Sequence, residues 1–513
     1  MPVNWVALAV FLVCFGLVTW LGFAAARWRR ADLDLLHEWG LAGNRFGTLV
    51  SWFLLGGDLY TAYTFIAVPA LAFGAGAIAF FAVPYTVLIY PILFVVFPRL
   101  WSVCKRHGYL TAADFVRGRF DNRWLALAVA VTGLVATMPY IALQLVGIQV
   151  VIAAMGVQAT GWLSDVPLIV AFVVLAAFTY SSGLRAPAAI AIVKDAMTYL
   201  TVVAAIVYVP LRLGGYGAVF GAVPAHKLIL APATAHNWGA LSAYATLALG
   251  SALALFLYPH SVTGILSASS RHVIRRNSAL LPAYSFLLGL IALLGFMAIA
   301  AGVDRMPQFT PYFVQYKANF AVPALFLSLF PAWFAGFAFA AIAIGALVPA
   351  AIMSIAAANI WTRNVHKEFI NPACTPQQEA RMAKRVSLVV KFGALLFIIG
   401  LPSAYAIQLQ LLGGIWIIQT LPAVMLGLYT RWFDGRALLL GWAAGIAAGT
   451  GMAAAGHFAG ATYPLALGSL IVPGYAALYS LIVNIAVAIL LTPVCSFLFR
   501  APAKDATQPG DYA

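Results

Sequence analysis

Charge is what this chain lacks: Asp, Glu, Lys and Arg make up only 8% of it, and 14 acidic residues stand against 29 basic ones. A water-soluble protein of 513 residues needs a far more polar surface, so that class is excluded. Cysteine is sparse as well. Cys14, Cys104, Cys374 and Cys495 are scattered, without the spacing of a disulfide framework or a metal site. No Gly-rich phosphate loop, zinc motif or nucleophile elbow occurs in a fitting context, which argues against an enzyme and against an ATP-driven pump.

What is present is apolar sequence. The chain is 64% hydrophobic, and uncharged runs of about 18 residues or more recur along it, the length needed to cross a bilayer as a helix. They predict an all-α polytopic membrane protein of about thirteen spans, near 5–26, 48–72, 77–103, 123–155, 163–181, 187–211, 240–268, 278–302, 322–362, 385–409, 411–431, 437–457 and 473–499. The first run has no basic residue before it and is too long for a signal-peptide core, so it reads as a retained helix.

The net charge of +15 invites a nucleic-acid partner until the basic residues are located. With the N-terminus outside and the C-terminus inside, most fall on the inner side, and Arg212, Lys227, Arg305 and Lys317 are the outer exceptions. The positive-inside rule then accounts for the charge without nucleic acid, and membrane lipid is a sufficient partner. The segment 364–384 reads as a charged inner linker, and 213–238 as an outer stretch. Residues 501–513 read as a disordered cytoplasmic tail too short for an output domain.

Four ionisable residues fall inside expected spans: Asp58, Lys194, Asp195 and Lys391. Buried charge in hydrocarbon is costly and marks ion or substrate paths. Lys391 lies six residues after Arg385, close enough to the inner face to snorkel. Lys194 and Asp195 are sequence neighbours whose side chains leave the helix about 100° apart, which argues against a side-by-side pair. Two spans are also interrupted. Gly56, Gly57 and Asp58 sit mid-span, as do Pro259, His260 and Gly264. Such breaks in corresponding helices of two halves mark the binding region of a secondary transporter.

Three further segments carry a resemblance. Residues 109–120, beginning Tyr109-Leu110-Thr111, the Tyr258-Pro259-His260 segment followed by Arg275 and Arg276, and Ala350-Ala351-Ile352-Met353-Ser354 are together similar to motifs of the sodium:solute symporter family. Residues 181–187 leading into Val193-Lys194-Asp195 look most like that family's bacterial monocarboxylate (lactate, pyruvate, alanine) permeases. The resemblance implies a leucine-transporter-type 5+5 inverted repeat. It divides the chain into an N-terminal helix and inner loop (1–47), a transporter core (48–432, with repeats about 48–211 and 240–432), C-terminal helices (433–500) and the tail. It implies no covalent chemistry and no cofactor other than a coupling ion, proton or sodium, in the plasma membrane of a bacterium.

Carried over residue by residue, the family's sodium site falls on Gly57, Tyr60, Ala351 and Ser354, with Ile355 where the family has a hydroxyl. Isoleucine offers no oxygen to a hard cation. Lys194 falls beside that site, so its ammonium is expected to replace sodium there, held by the Gly57 and Tyr60 carbonyls and Ser354, with Asp58 and Asp195 completing the coupling group. The alternative is a fixed charge pair of Lys194 with Asp58 or Asp195. No mid-span arginine is available to clamp a carboxylate, so substrate contacts are expected from Tyr60, Thr61, His260, Ser261 and Thr263. The expected function is ion-coupled import of small monocarboxylates by alternating access. The alternatives are sodium-coupled symport of an amino acid or other organic solute, and a membrane sensor on a transporter fold.

Overall fold

The computed structural model describes residues 1–27, 32–58, 60–61, 63–157, 166–399, 406–499 and 504–512. Uncharged runs leave the backbone no polar partner but itself, so they wind into helices. The principal helices are α1 (Trp5–Ala24), α2 (Thr48–Gly57), α3 (Val68–Ala75), α4 (Ala82–His107), α5 (Ala112–Phe120), α6 (Arg123–Ala154), α7 (Val166–Ser182) and α8 (Arg185–Arg212). They continue as α9 (Gly239–Leu255), α10 (Pro259–Leu266), α11 (Arg271–Leu280), α12 (Pro282–Ala300), α13 (Ala332–Ile360), α14 (Pro376–Ile399), α15 (Ala406–Ile417), α16 (Gly435–Ala455) and α17 (Ala476–Leu498). Among the described residues nine helical segments are long and apolar enough to cross a membrane, and the bent pair α9–α10 adds a tenth; α2 and α7 are shorter apolar helices.

The centre is α13. It carries no ionisable side chain, is rich in Ala, and packs against α1, α6, α8, α10 and α14. Small side chains permit that crowding, and Gly336 rests directly on the backbone of Ala7 in α1. Two breaks face this hub. The first separates α2 from the π-helical turn Tyr63–Ala67 that leads into α3; within it, Leu59 and Ala62 lie outside the described residues. The second bends α9 against α10 by 51°, with Pro259 at the first position of α10, where its missing N–H costs nothing.

Several boundaries differ from expectation. The expected span 322–362 divides into Ala321–Leu329 and α13, because Pro331 cannot continue a helix past Phe330. The connection 457–475 is not helical: Thr462–Leu467 and Leu470–Tyr475 pair antiparallel, turning at Gly468 with φ +63°. This hairpin packs on the outer stretch, where Trp238 N donates to Ile471 O at 3.1 Å. The same stretch closes the end of α3, with Lys227 Nζ donating to Phe73 O at 2.6 Å.

The face that carries most of the basic residues is more ordered than composition suggests. The segment 364–384 is a folded clamp rather than a linker: a π-helical run, Trp361–Ile370, continues α13, and α14 begins at Pro376. Its charges are paired, Glu379 with Arg363 (3.4 Å) and Lys367, and Glu368 with Arg117 (2.8 Å). Asn364 Nδ2 donates to Asp114 Oδ1 at 2.7 Å. The tail over 504–512 is likewise not disordered. Asp505 pairs with Arg119 (2.8 Å), and Asp511 with Arg106 (2.9 Å) and His107 (2.7 Å). Acidic residues are scarce, and these two find the basic C-terminal ends of α4 and α5. The Gln508 backbone N–H, with His107 and Arg106, holds the Asp511 carboxyl well below the usual carboxylate range. Residues 501–503 and 513 lie outside the described residues.

Candidate functional site

The first break presents the carbonyls of Gly57 and Tyr60 to Lys194 on α8. Its Nζ donates to Gly57 O at 2.6 Å and to Tyr60 O at 3.0 Å. Glycine matters here, since a Cβ at position 57 would stand 3.0 Å from that nitrogen. Lys194 is fully buried, as is Asp195. The expectation that these two point apart is corrected: Asp195 Oδ1 lies 2.9 Å from Lys194 Nζ, in ion-pair contact. The four-carbon lysine stem is long enough to curl back over its neighbour, so the divergence of the Cβ bonds does not decide where the charges meet. Tyr284 of α12 donates to the other oxygen, Asp195 Oδ2, at 2.6 Å.

Asp58 belongs elsewhere. Ser261 Oγ, on α10, donates to Asp58 Oδ2 at 3.0 Å, and His260 Nε2 stands 3.4 Å from the same oxygen. No Lys194–Asp58 pair forms among the described residues. The two breaks thus meet in a second cluster, Asp58, His260 and Ser261, walled by the Tyr140 and Tyr258 rings with centres 5.3 and 5.4 Å from the imidazole. Asp58 Oδ1 and both imidazole nitrogens are buried and make no hydrogen bond among the described residues. Buried polar atoms normally find partners, so this cluster has unused capacity for a ligand.

The remaining expected residues separate. Tyr60 turns its hydroxyl to Tyr284 O at 3.2 Å and its ring against Tyr284 and Tyr199, so its side chain is engaged in an aromatic group and its carbonyl alone faces the ammonium. Thr61 is buried beside the first break. Thr263 lines a narrow cleft with Leu110, Thr111, Ile360 and Thr420, apart from Ser261. Ser354 does not hold Lys194: it donates to Ala351 O at 2.8 Å and accepts from Ser387 at 3.3 Å. Ile355 is buried and supplies no oxygen. Among the described residues no group of three His, Cys, Asp or Glu side chains could hold a metal, so a hard cation would depend on the carbonyls and Ser354. Lys391 does not snorkel. It is 1% exposed and donates to Ser387 Oγ at 2.7 Å.

Tyr284, Tyr140 and Ser387 were not legible as site residues. The signals for two of them exist in hindsight: Gly56 leaves room for the Tyr284 ring, and Ser387 stands four residues before Lys391, on the same helix face. Away from these clusters, Glu38 forms a second buried ion pair, accepting from Arg185 at 2.6 Å and Arg45 at 2.7 Å.

Residues 39–445 match the model of the sodium:solute symporter family. A protein named monocarboxylate transport permease, from Rhizobium johnstonii, is 54% identical over 87% of this chain and 89% of its own length. The symporter YodF of Bacillus subtilis, described as uncharacterized, is 34% identical over 86% and 87%. Among solved structures, a Na+-coupled sialic acid symporter in its substrate-bound outward-open state superposes with a TM-score of 0.76 at 15% identity, covering 98% of this chain and 99% of that one. The apolar helices, the two interrupted helices meeting at buried polar clusters, and the family match over most of the length agree: this multi-pass membrane chain belongs to the sodium:solute symporter family and is a secondary transporter rather than an enzyme.

Proposed function

We propose that the chain imports a small monocarboxylate by alternating access, with the substrate at the Asp58–His260–Ser261 cluster and Lys194 carrying the coupling proton. One observation carries the coupling: the Lys194 ammonium sits on the Gly57 and Tyr60 carbonyls, where a coupling cation would otherwise sit. Alternating access would expose that amine first to one side of the membrane and then to the other, so that a proton taken up outside is delivered inside. The start of α10 supports anion binding. His260 and Ser261 occupy its first turn, where backbone N–H groups lack partners within the helix. The imidazole adds a donor for the carboxylate, and Asp58 an acceptor for a hydroxyl. The 54% identical relative named for monocarboxylate transport supports that substrate class.

A second reading, sodium coupling, draws on the family match and on Ala351 and Ser354, which retain two oxygens near the break. Ile355 weighs against it. An amino acid is the alternative substrate, since Asp58 would accept from its ammonium. The test is uptake of radiolabelled lactate and pyruvate into proteoliposomes with a pH or a sodium gradient imposed separately at clamped potential. Accumulation driven by pH alone, and abolished by Lys194→Ala, is expected. A sodium requirement overturns the proton reading, and an absence of accumulation overturns the substrate class or the transport reading itself, as a sensor would require.

A further inference from the structure

Arginines gather where an exposed apolar stripe of α4 ends. Along that helix Val87, Leu88, Pro91, Phe94 and Val95 are exposed, at the spacing of a single helical face, and Arg99 stands one turn beyond Val95. From Val87 to Arg99 the rise is about 18 Å at 1.5 Å per residue, close to one leaflet of a hydrocarbon core about 30 Å thick. Arg271 and Arg275 lie one turn apart on α11, which packs on α4. With Arg99 they line a cavity of about 360 Å³ that Phe94, Val95, Tyr429 and Tyr512 also border.

No carboxylate answers these arginines. Among the described residues Arg99, Arg271 and Arg275 make no ion pair or side-chain hydrogen bond, and neither α4 nor α11 carries an acidic side chain. The acids of the tail are taken by other partners: Asp505 pairs with Arg119 (2.8 Å) and Arg431 (3.5 Å), and Asp511 with Arg106 and His107. What the cavity arginines touch is aromatic. The Arg99 guanidinium carbon lies over the Tyr429 ring, 4.5 Å from its centre, and that of Arg275 lies 5.7 Å from the centre of the Phe94 ring. Tyr429 is itself fixed, donating to Val95 O at 3.0 Å. Contact with a ring uses none of a guanidinium's five N–H donors, so these remain available to an anion.

We infer that this cavity binds an anionic glycerophospholipid, its phosphodiester held by Arg99, Arg271 and Arg275 and an acyl chain laid along the stripe from Val87 to Val95. Guanidinium forks match phosphate oxygens, and the hydrogen bonds they make are charge-assisted. Basic pockets between membrane helices suit such headgroups. The stripe selects a lipid over a free anion, because one ligand can bury its chain against Phe94 and Val95 while its phosphate reaches the arginines one turn on. Because α11 follows α10 in the chain, the bound headgroup braces the second interrupted helix against α4.

The test is lipid retention by the full-length protein, apart from any measurement of flux. Protein in mixed detergent micelles is titrated with phosphatidylglycerol or phosphatidylcholine of identical chains, and bound lipid is counted by native mass spectrometry. Saturable retention of one phosphatidylglycerol per chain, in preference to phosphatidylcholine and not displaced by inorganic phosphate, is expected. Arg99→Gln/Arg271→Gln/Arg275→Gln should weaken it about tenfold or more, the scale of one charge-assisted hydrogen bond. Arg276→Gln/Arg381→Gln/Arg385→Gln removes equal charge from exposed positions outside the cavity and should leave retention intact. Arg275→Gln alone, at an exposed position, should give a smaller loss in the same direction and keeps the test available if the triple cavity variant does not fold. Equal retention of the two lipids, no loss in the cavity variants, equal loss in both triple variants, or displacement by inorganic phosphate would overturn the inference.

Discussion

Replacing Lys194 by Met and Asp195 by Asn, singly and together, separates a structural ion pair from independent contacts. Both residues are fully buried, with 2.9 Å between Nζ and Oδ1. Lys194→Met leaves a buried carboxylate facing only the Tyr284 hydroxyl; Asp195→Asn leaves a buried ammonium on two carbonyls. Breaking a buried pair from either side costs roughly 3–5 kcal/mol. The double substitution removes both charges, and what remains is the loss of the donor to Gly57 O and Tyr60 O, about 1–3 kcal/mol. Unfolding entropy of about 2.1 cal/mol/K per residue, applied to 513 residues, gives a Tm shift of about 1 °C per kcal/mol. Each single variant should therefore lose about 3–5 °C and the double only about 1–3 °C, measured by fluorescence-detected melting in detergent. A double variant that loses the sum of the two singles would refute the pairing. The folded double variant should also fail to accumulate substrate on a pH gradient, because no titratable amine then remains on the carbonyls.

Three further outcomes are expected. Glu38→Gln strands the buried Arg185 guanidinium and should cost about 3–5 kcal/mol, seen as a lower melting temperature, while Asp34→Asn, which removes the solvent-exposed carboxylate of the Lys384–Asp34 pair, should leave the melting temperature nearly unchanged. Gly56→Ala drives a methyl group into the Tyr284 ring and with it disturbs the bond to Asp195; transport should fall far more than for Gly393→Ala, where nothing stands within 4 Å of the added carbon. The folded-state pKa of Asp511 is depressed, so its contribution is fully present above the unfolded carboxylate value of about 3.9 and is lost as pH falls through the lower folded value. Hydrogen exchange at residues 505–511 should stay slow down to that acid range in the native chain and be fast at neutral pH in Asp511→Asn; fast exchange in both at neutral pH would show that the Asp511 contacts with Arg106 and His107 do not hold the tail.

What was legible in the sequence follows from how each signal is encoded. Helices long enough to cross a bilayer are written in uncharged runs, and the breaks in paired glycines and a proline, but it was the resemblance to the family's motifs, not these runs, that brought Gly57, Tyr60 and Lys194 together before any coordinates. Contacts set by the reach of a side chain were misjudged. Lys194 folds back onto Asp195 although their Cβ bonds diverge, and Lys391 turns inward to Ser387 although it lies close enough to the inner end to snorkel. Composition misled at the inner face, where few acidic residues looked like solvated linkers and a loose tail. In those two segments Glu368, Glu379, Asp505 and Asp511 are instead paired with arginine, lysine or histidine. Asp58 was one of two partners considered for Lys194, and its contact with Ser261 instead depends on how α10 approaches the first break, which is not written in either segment alone.

The nearness of Lys194 to Asp195 along the chain has a consequence for biogenesis. On insertion scales a Lys or an Asp at the centre of a helix entering the bilayer each costs about 2.5–3.5 kcal/mol, and α8 carries both. Because the partners are adjacent residues, their contact needs no other helix and can form while the segment is still leaving the translocon. The helix then partitions as an electrically neutral unit before it docks on the Gly57 and Tyr60 carbonyls, which are synthesised earlier, and on Tyr284, which is synthesised later.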